Sequence, residues 1–127
     1  IVPPETYFQR ARDGQFTMPL GSWLSSTGEG SAALFHGLYP FNPVERVGMA
    51  NWGWYSNRRY AEVVNKFKTE MDADKRLKMM QDAYAIATNH VGYIPLHWER
   101  GAYATRKGLK YTVRNDQMTL AEMAEKM

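Results

Sequence analysis

The feature that most constrains the fold is a run of apolar residues at helical spacing in the middle of the chain. Five of them fall at i, i+3, i+4, i+7 and i+11 and would share one face of an α-helix: Tyr60, Val63, Val64, Phe67 and Met71. The pattern predicts a helix from about Arg58 to Met71.

A second helix follows directly. Asp72 supplies an N-cap oxygen and Asp74 adds negative charge to the first turn, where the helix dipole favours it. Four apolar residues would line one side of this helix: Leu77, Met80, Tyr84 and Ala87. The helix is predicted to run to about Asn89, so the two segments form a helical pair.

Period-two alternation of apolar and other residues predicts β-strands on both sides of this pair. The predicted strands are Phe16–Leu20, Ile94–Trp98, Ala102–Arg106 and Leu109–Val113. Pro19 favours an edge position or a strand end for the first of them, because proline cannot donate to a ladder. Helices and strands together predict the α/β class, with residues 1–127 as a single domain.

The remaining segments are predicted as two short helices, two loops and a terminal helix. Pro3 and Pro4 open the first helix, which Gly14 ends. The other predictions are a polar loop at Ser25–Ser31, a helix at Ala32–Leu38, an ordered aromatic-rich loop at Tyr39–Tyr55, and an amphipathic helix from the Thr119 and Glu122 capping box onwards.

Composition excludes several classes of protein. The 127 residues are 44% hydrophobic and 23% charged, which is typical of a folded globular domain. The net charge of +3 is spread along the chain, so no basic patch indicates a nucleic-acid partner. No apolar run is long enough for a membrane span. The absence of Cys excludes disulfides and thiolate sites without assigning a compartment.

No motif for catalysis, metal binding or cofactor binding is present. The histidines, His36, His90 and His97, lack metal-ligand spacing, and neither a nucleophile elbow nor a P-loop occurs. The carboxylates fall mostly on predicted helices, where caps and solvated faces are their common roles. We therefore expect no catalytic residue, no metal and no cofactor, and a protein that is not an enzyme.

The aromatic residues depart from the ordinary pattern, because Trp23, Trp52, Trp54 and Tyr55 lie in predicted loops or at strand ends. One interpretation is that they pack over the edge of the sheet as core. The other is that they wall a ligand cleft, since Trp and Tyr combine apolar area with a hydrogen-bonding tip. A small free-standing binding or interaction module could use the same residues as a surface patch.

Five segments in order resemble the C-terminal part of the family 5 periplasmic solute-binding proteins, the dipeptide, oligopeptide and nickel group that serves ABC importers. They are Gly21-Ser22-Trp23, Asn51-Trp52 with Tyr55–Tyr60, Asp72–Arg76, Ile94-Pro95-Leu96 and Ala104–Gly108. The resemblance extends from about Tyr7 to about Leu120. It implies a transport protein of a bacterial type, in which this chain is a fragment of a larger molecule.

The resemblance implies one lobe of a two-lobed, type II-like binding protein, with helices packed on a mixed sheet. Its implied partners are a small-molecule or peptide ligand, the transmembrane permease of the importer, and the N-terminal remainder of the same protein. Its implied location is periplasmic or extracellular, membrane-associated through the permease. The implied ligand-binding residues are Trp23, Ser25, Ser26, Asn51, Trp52, Trp54 and Tyr55.

Two positions depart from the family's pattern. Ser26 stands where peptide-binding members place an Asp that pairs with the α-ammonium of the peptide, and a hydroxyl cannot neutralise that charge. Ala61 stands where the family often has an acidic residue, which implies the loss of a contact on the helix surface. The identity of the ligand, peptide or other solute, therefore stays open.

Overall fold

The computed structural model describes residues 2–25, 28–114 and 118–127, and within them the chain is a small mixed domain of helices and strands. Four α-helices and one two-stranded antiparallel sheet make up this described part. Their bounds are α1 Pro4–Arg12, α2 Ser31–Ala33, α3 Arg58–Phe67, α4 Ala73–Asn89, β1 Leu109–Tyr111 and β2 Ala124–Lys126. A π-helical stretch, Leu34–Leu38, continues α2, and a 3-10 turn, Ala121–Met123, precedes β2.

The helical pair predicted from periodicity is confirmed as α3 and α4, and a side chain caps each helix. The amide of Tyr60 donates to Oδ1 of Asn57 at 3.0 Å, which begins α3. At α4, the amides of Asp74 and Lys75 both donate to Oδ1 of Asp72, at 3.1 and 3.0 Å. Because these bonds satisfy N–H groups that have no partner inside the helix, they fix where each helix starts.

Helix α3 ends at Phe67, short of the predicted Met71. The amide of Thr69 turns back to the carbonyl of Lys66, and Nη1 of Arg76 donates to the carbonyl of Phe67 at 2.7 Å. The guanidinium thus donates a hydrogen bond to a carbonyl at the C-terminal end of the helix. Met71 lies in the connection and is 92% exposed, so its assignment to the apolar face was wrong.

The core lies between the helical hairpin and the π-helical stretch. Its buried members are Leu34, Leu38, Tyr60, Val64, Phe67, Met80, Ala83 and Ala87. Ala83 faces the core, whereas the predicted Leu77 is exposed. No residue of β1 or β2 belongs to this cluster, so the described sheet lies outside the main core.

The C-terminal segment forms a strand where a helix was predicted. Residues Ala124–Lys126 pair antiparallel with Leu109–Tyr111, and the hydroxyl of Tyr111 accepts a hydrogen bond from the amide of Leu120 at 3.1 Å. An isolated helix of two turns is marginal in water. The backbone of β1 instead forms a ladder of hydrogen bonds with this segment. The prediction of a helix after Thr119 was therefore wrong.

Three of the four predicted strands lack a partner among the described residues. Residues 16–20, 94–98 and 102–106 belong to no strand, and the predicted Leu109–Val113 is shortened to β1. Alternation of side chains indicates a pleated segment, but a strand forms only beside a neighbour. Trp98, in one of these unpaired segments, is 95% exposed.

The first helix, the Ala32–Leu38 helix and the irregular aromatic-rich loop agree with the predictions within a residue or two, although the second is largely π-helical. Helix α1 begins at Pro4 and is followed by Gly14, whose φ is +68°. None of the helices in the described ranges has the length and apolarity needed to cross a bilayer.

The end of α4 carries a strained residue. Val91 has φ of +53°, in the left-handed region that a β-branched residue rarely enters. Its amide bonds to the carbonyl of Thr88 and that of Gly92 to the carbonyl of Ala87, which is a Schellman ending. The glycine stands one position after the left-handed residue because a Cβ at Gly92 would lie 2.6 Å from the ring of Tyr55.

We expect Val91→Gly to stabilise the chain by about 1 kcal/mol, since glycine adopts the left-handed conformation without steric cost. The free energy of unfolding from urea titration measures the change. Val44→Gly is the matched control, because Val44 is also exposed and has no positive φ. A Val91→Gly chain that is no more stable than the Val44→Gly chain would contradict the assignment of strain.

Candidate functional site

The aromatic-rich loop before α3 is organised by the side chain of Asn51, which is 6% exposed. Its Nδ2 donates to the carbonyls of Tyr39 and Tyr55 at 3.0 and 2.7 Å, and its Oδ1 accepts from the amide of Tyr55 at 2.9 Å. Both amide protons are used within the protein. Asn51, predicted to orient a ligand, therefore holds the two ends of the loop together.

The loop is also fixed to the π-helical stretch. The amide of Gly48 donates to the carbonyl of Phe35 at 2.7 Å, and the amide of Ala50 to that of His36 at 2.8 Å. Gly48 has φ of +65°, and a Cβ there would lie 2.3 Å from the carbonyl oxygen of Tyr39. Only glycine fits this crossing, which makes the loop a rigid support for its aromatic side chains.

A depression of about 210 Å³ opens on the surface of this loop. Its lining residues are Pro40, Phe41, Asn51, Trp54, Tyr55 and Ser56. The rings of Phe41 and Trp54 meet nearly edge to face, with centroids 5.6 Å apart, and both are exposed. The structure thus brings three of the predicted ligand residues, Asn51, Trp54 and Tyr55, to one place.

The depression carries no Lys, Arg, Asp or Glu in its lining. The hydroxyl of Tyr55 is shielded from solvent, with no well-formed hydrogen bond among the described residues, and burial raises the pKa of this phenol. Trp54 has φ of +52°, an unfavourable conformation for a bulky residue, and its side chain remains exposed. An uncharged surface with a displayed indole suits an apolar or aromatic group.

Trp52 does not line the depression. Its ring contacts Tyr7 and Phe8 of α1, with centroid distances of 6.0 and 5.6 Å, and its indole nitrogen is buried without a partner in the described chain. The packing interpretation fits this residue, which joins α1 to the loop.

Trp23 and Ser25 lie on a second segment that does not line the depression. The ring of Trp23 stacks on His36 with centroids 6.2 Å apart and an interplanar angle of 20°. Ser25 Oγ donates to the carbonyl of Glu29 at 2.6 Å. Ser26, the predicted counterpart of the family's anchoring Asp, lies outside the described residues.

The segment after Ser25 is connected to α4 by an ion pair. Nε and Nη2 of Arg76 contact the two carboxylate oxygens of Glu29 at 2.6 and 3.0 Å, and Ser31 Oγ donates to the same carboxylate. These hydrogen bonds lower the pKa of Glu29 to about 2. The side chains are 26% and 35% exposed, so solvent screens the pair only in part.

Sequence reasoning missed Phe41, Ser56 and the Glu29–Arg76 pair. The Tyr39-Pro40-Phe41 run could have indicated Phe41, because two aromatic residues flank a proline in a loop. The ion pair left no such signal, since 47 positions separate its members.

Throughout residues 2–25, 28–114 and 118–127, no group of three or more His, Asp or Glu side chains could hold a metal ion. No protein-family model matches the sequence, and no curated protein or solved structure is significantly similar to it. Function is therefore inferred from the residues and their geometry.

Asn51→Ala should destabilise the chain by about 2 kcal/mol, because it leaves two partly buried carbonyls without their side-chain donor. Asn51→Asp should also destabilise, since a carboxylate cannot donate to either carbonyl. Thermal and urea unfolding measure both. The control is Asn65→Ala, which removes one exposed hydrogen bond that the Tyr39 hydroxyl donates to Asn65 Oδ1. Equal losses at the two positions would refute the organising role of Asn51.

The stabilisation from Glu29 should depend on pH. Its pKa in the folded chain, about 2, lies below the ordinary 4.5, so the contribution is complete above pH 4.5 and disappears as the pH falls to about 2. The difference in unfolding free energy between wild type and Glu29→Gln should shrink over that interval. Glu62→Gln, at an exposed pair, is the control and should change stability little. A difference at Glu29 that stays constant down to about pH 2 would contradict the ion pair.

Proposed function

We propose that this chain is part of the ligand-binding lobe of a solute-binding protein that delivers a small solute or peptide to the permease of an ABC importer. The observation that carries the proposal is the aromatic depression between Phe41 and Trp54, held on a loop that Asn51 fixes. A rigid wall of aromatic side chains without charge is suited to binding the apolar part of a ligand. The proposed role in transport is based on the five segments that resemble the family and follow one another in the same order.

The depression is open to solvent on one side, and this favours a half-site. A ligand that rests on Phe41 and Trp54 would keep its opposite face in water until a second wall covers it. In a two-lobed protein that wall belongs to the other lobe, and the closed form with ligand is the one that the permease recognises. The N-terminal remainder of the protein is thus the proposed source of the second wall.

The unpaired segment at residues 93–106 supports the presence of such a remainder. Its residues make no backbone-to-backbone hydrogen bond to another described residue up to Thr105, and Ile94, Leu96 and Trp98 are all exposed. Exposed apolar residues at alternate positions are typical of a strand that packs on one face. We propose that this segment joins a mixed sheet together with strands of the remainder.

A titration of the ¹⁵N-labelled chain with the tripeptide Ala-Phe-Ala tests the proposal. The half-site should bind weakly, with a dissociation constant on the order of a millimolar, because one wall encloses little of the ligand. Chemical shifts should move at the Trp54 indole and at the backbone of Phe41 and Tyr55.

The control variants are Trp54→Ala, which removes the indole of the depression, and Trp98→Ala, which removes a 95% exposed indole elsewhere. Only the first should abolish the shifts at Phe41. Shifts that are absent in the wild type, or that survive in Trp54→Ala, would overturn the assigned site. A submicromolar constant by calorimetry would overturn the half-site.

A further inference from the structure

The indole of Trp54 is held in place although Trp54 is 59% exposed. Its ring meets the ring of Phe41 at an interplanar angle of 65°, and its Nε1 lies so near the backbone of Gly14 that a Cβ there would be 3.4 Å away. The amide of Trp54 also donates to the carbonyl of Asn51 at 3.1 Å. The indole is therefore positioned before any ligand arrives, which lowers the entropy that a ligand contact would cost.

The backbone of Trp54 carries a cost that the packing of its side chain does little to offset. Its φ of +52° lies in the left-handed region, which a bulky residue enters only at a steric cost and glycine enters freely. Gly53 directly precedes it and has no positive φ. A ring that stays largely exposed gains little from burial. Backbone strain of this kind concentrates at ligand sites, so the displayed indole is a candidate for contact with a ligand.

The lining of the depression disfavours charged groups. Among the described residues it contains no Lys, Arg, Asp or Glu. A charged group that enters would lose part of its hydration without gaining an ion-pair partner. A cation can still interact with the faces of the two rings, but such contacts are weak at an exposed site. The depression therefore favours an uncharged group.

An aromatic ring fits the Phe41–Trp54 pair better than an aliphatic group of equal size. The two rings are 5.6 Å apart and inclined at 65°, so a third ring that stacks on one of them lies nearly edge to face with the other. Both arrangements are favourable between aromatic rings and add to the free energy of apolar burial. A saturated ring of the same shape gains the burial alone.

We propose that Phe41 and Trp54 are specificity-determining residues, which select an uncharged aromatic ring of the ligand over an aliphatic or a cationic group. This inference rests on the proposed function and names the class of solute for the same site, one that carries a planar, uncharged ring. Leucine at either position keeps an apolar surface and removes one of the two ring contacts.

The test compares three tripeptides that differ only in the central residue: Ala-Phe-Ala, Ala-Cha-Ala and Ala-Lys-Ala, where Cha is cyclohexylalanine, the saturated counterpart of phenylalanine. Each is titrated into the ¹⁵N-labelled chain, and the shift of the Tyr55 amide gives the dissociation constant. The constants are compared rather than the sizes of the shifts, because a ligand ring displaces nearby resonances by its ring current whatever its affinity.

Ala-Phe-Ala should bind about threefold more tightly than Ala-Cha-Ala, in line with the strength of ring-to-ring contacts, and Ala-Lys-Ala should bind most weakly. Burial alone predicts the reverse order for the first two, because the cyclohexyl group is the more apolar. The preference for Ala-Phe-Ala should disappear in Trp54→Leu and in Phe41→Leu, and either variant serves should the other fail to fold. Trp98→Leu, at a fully displayed indole elsewhere, is the control and should keep the wild-type preference.

Three outcomes would overturn the inference while the site at the depression stands. They are equal or tighter binding of Ala-Cha-Ala, tightest binding of Ala-Lys-Ala, and a preference for Ala-Phe-Ala that survives in both leucine variants. Absence of binding by all three tripeptides would instead reject this inference and the proposed function together.

Discussion

The side chain of Tyr60 is the contact on which the rest of the structure depends. It is fully buried on α3, and its hydroxyl donates to the carbonyl of Leu34 at 2.7 Å. Its ring meets that of Tyr55 edge to face, with centroids 5.6 Å apart. A buried phenol without a partner would cost about 1–3 kcal/mol, so this bond fixes the π-helical stretch against the hairpin and gives the aromatic loop its base.

The sequence predicted the helices well because their signals are local. Periodicity identified Tyr60, Val64 and Phe67 as buried, and Asp72 was recognised as a cap. The strands were predicted poorly, since alternation describes one segment and pairing requires two. At the C-terminus a capping-box spacing predicted a helix, but the long-range ladder with β1 replaced it.

The residue types around the depression were predictable from the sequence, and their arrangement was not. Loop aromatics were compatible with core packing or with a ligand wall, and Trp54 and Tyr55 line a depression. Trp52 instead packs on α1, and Asn51 uses its amide inside the loop, because the two interpretations of such residues depend on neighbours far away in sequence. The pairing of Glu29 with Arg76 depends on the same kind of distant contact, which no local pattern reveals.

The depression and the end of α4 are coupled through one ring. Tyr55 lines the depression and also packs on Gly92, where a Cβ would lie 2.6 Å away. A larger residue at Gly92 would require the Tyr55 ring to move, and the Schellman ending of α4 has Val91 in the left-handed conformation. The strain at Val91 accompanies the close approach of Tyr55 to the backbone. Tyr55 therefore links the depression to the end of α4, and the chain enters the segment without backbone partners, residues 93–105, from that same point.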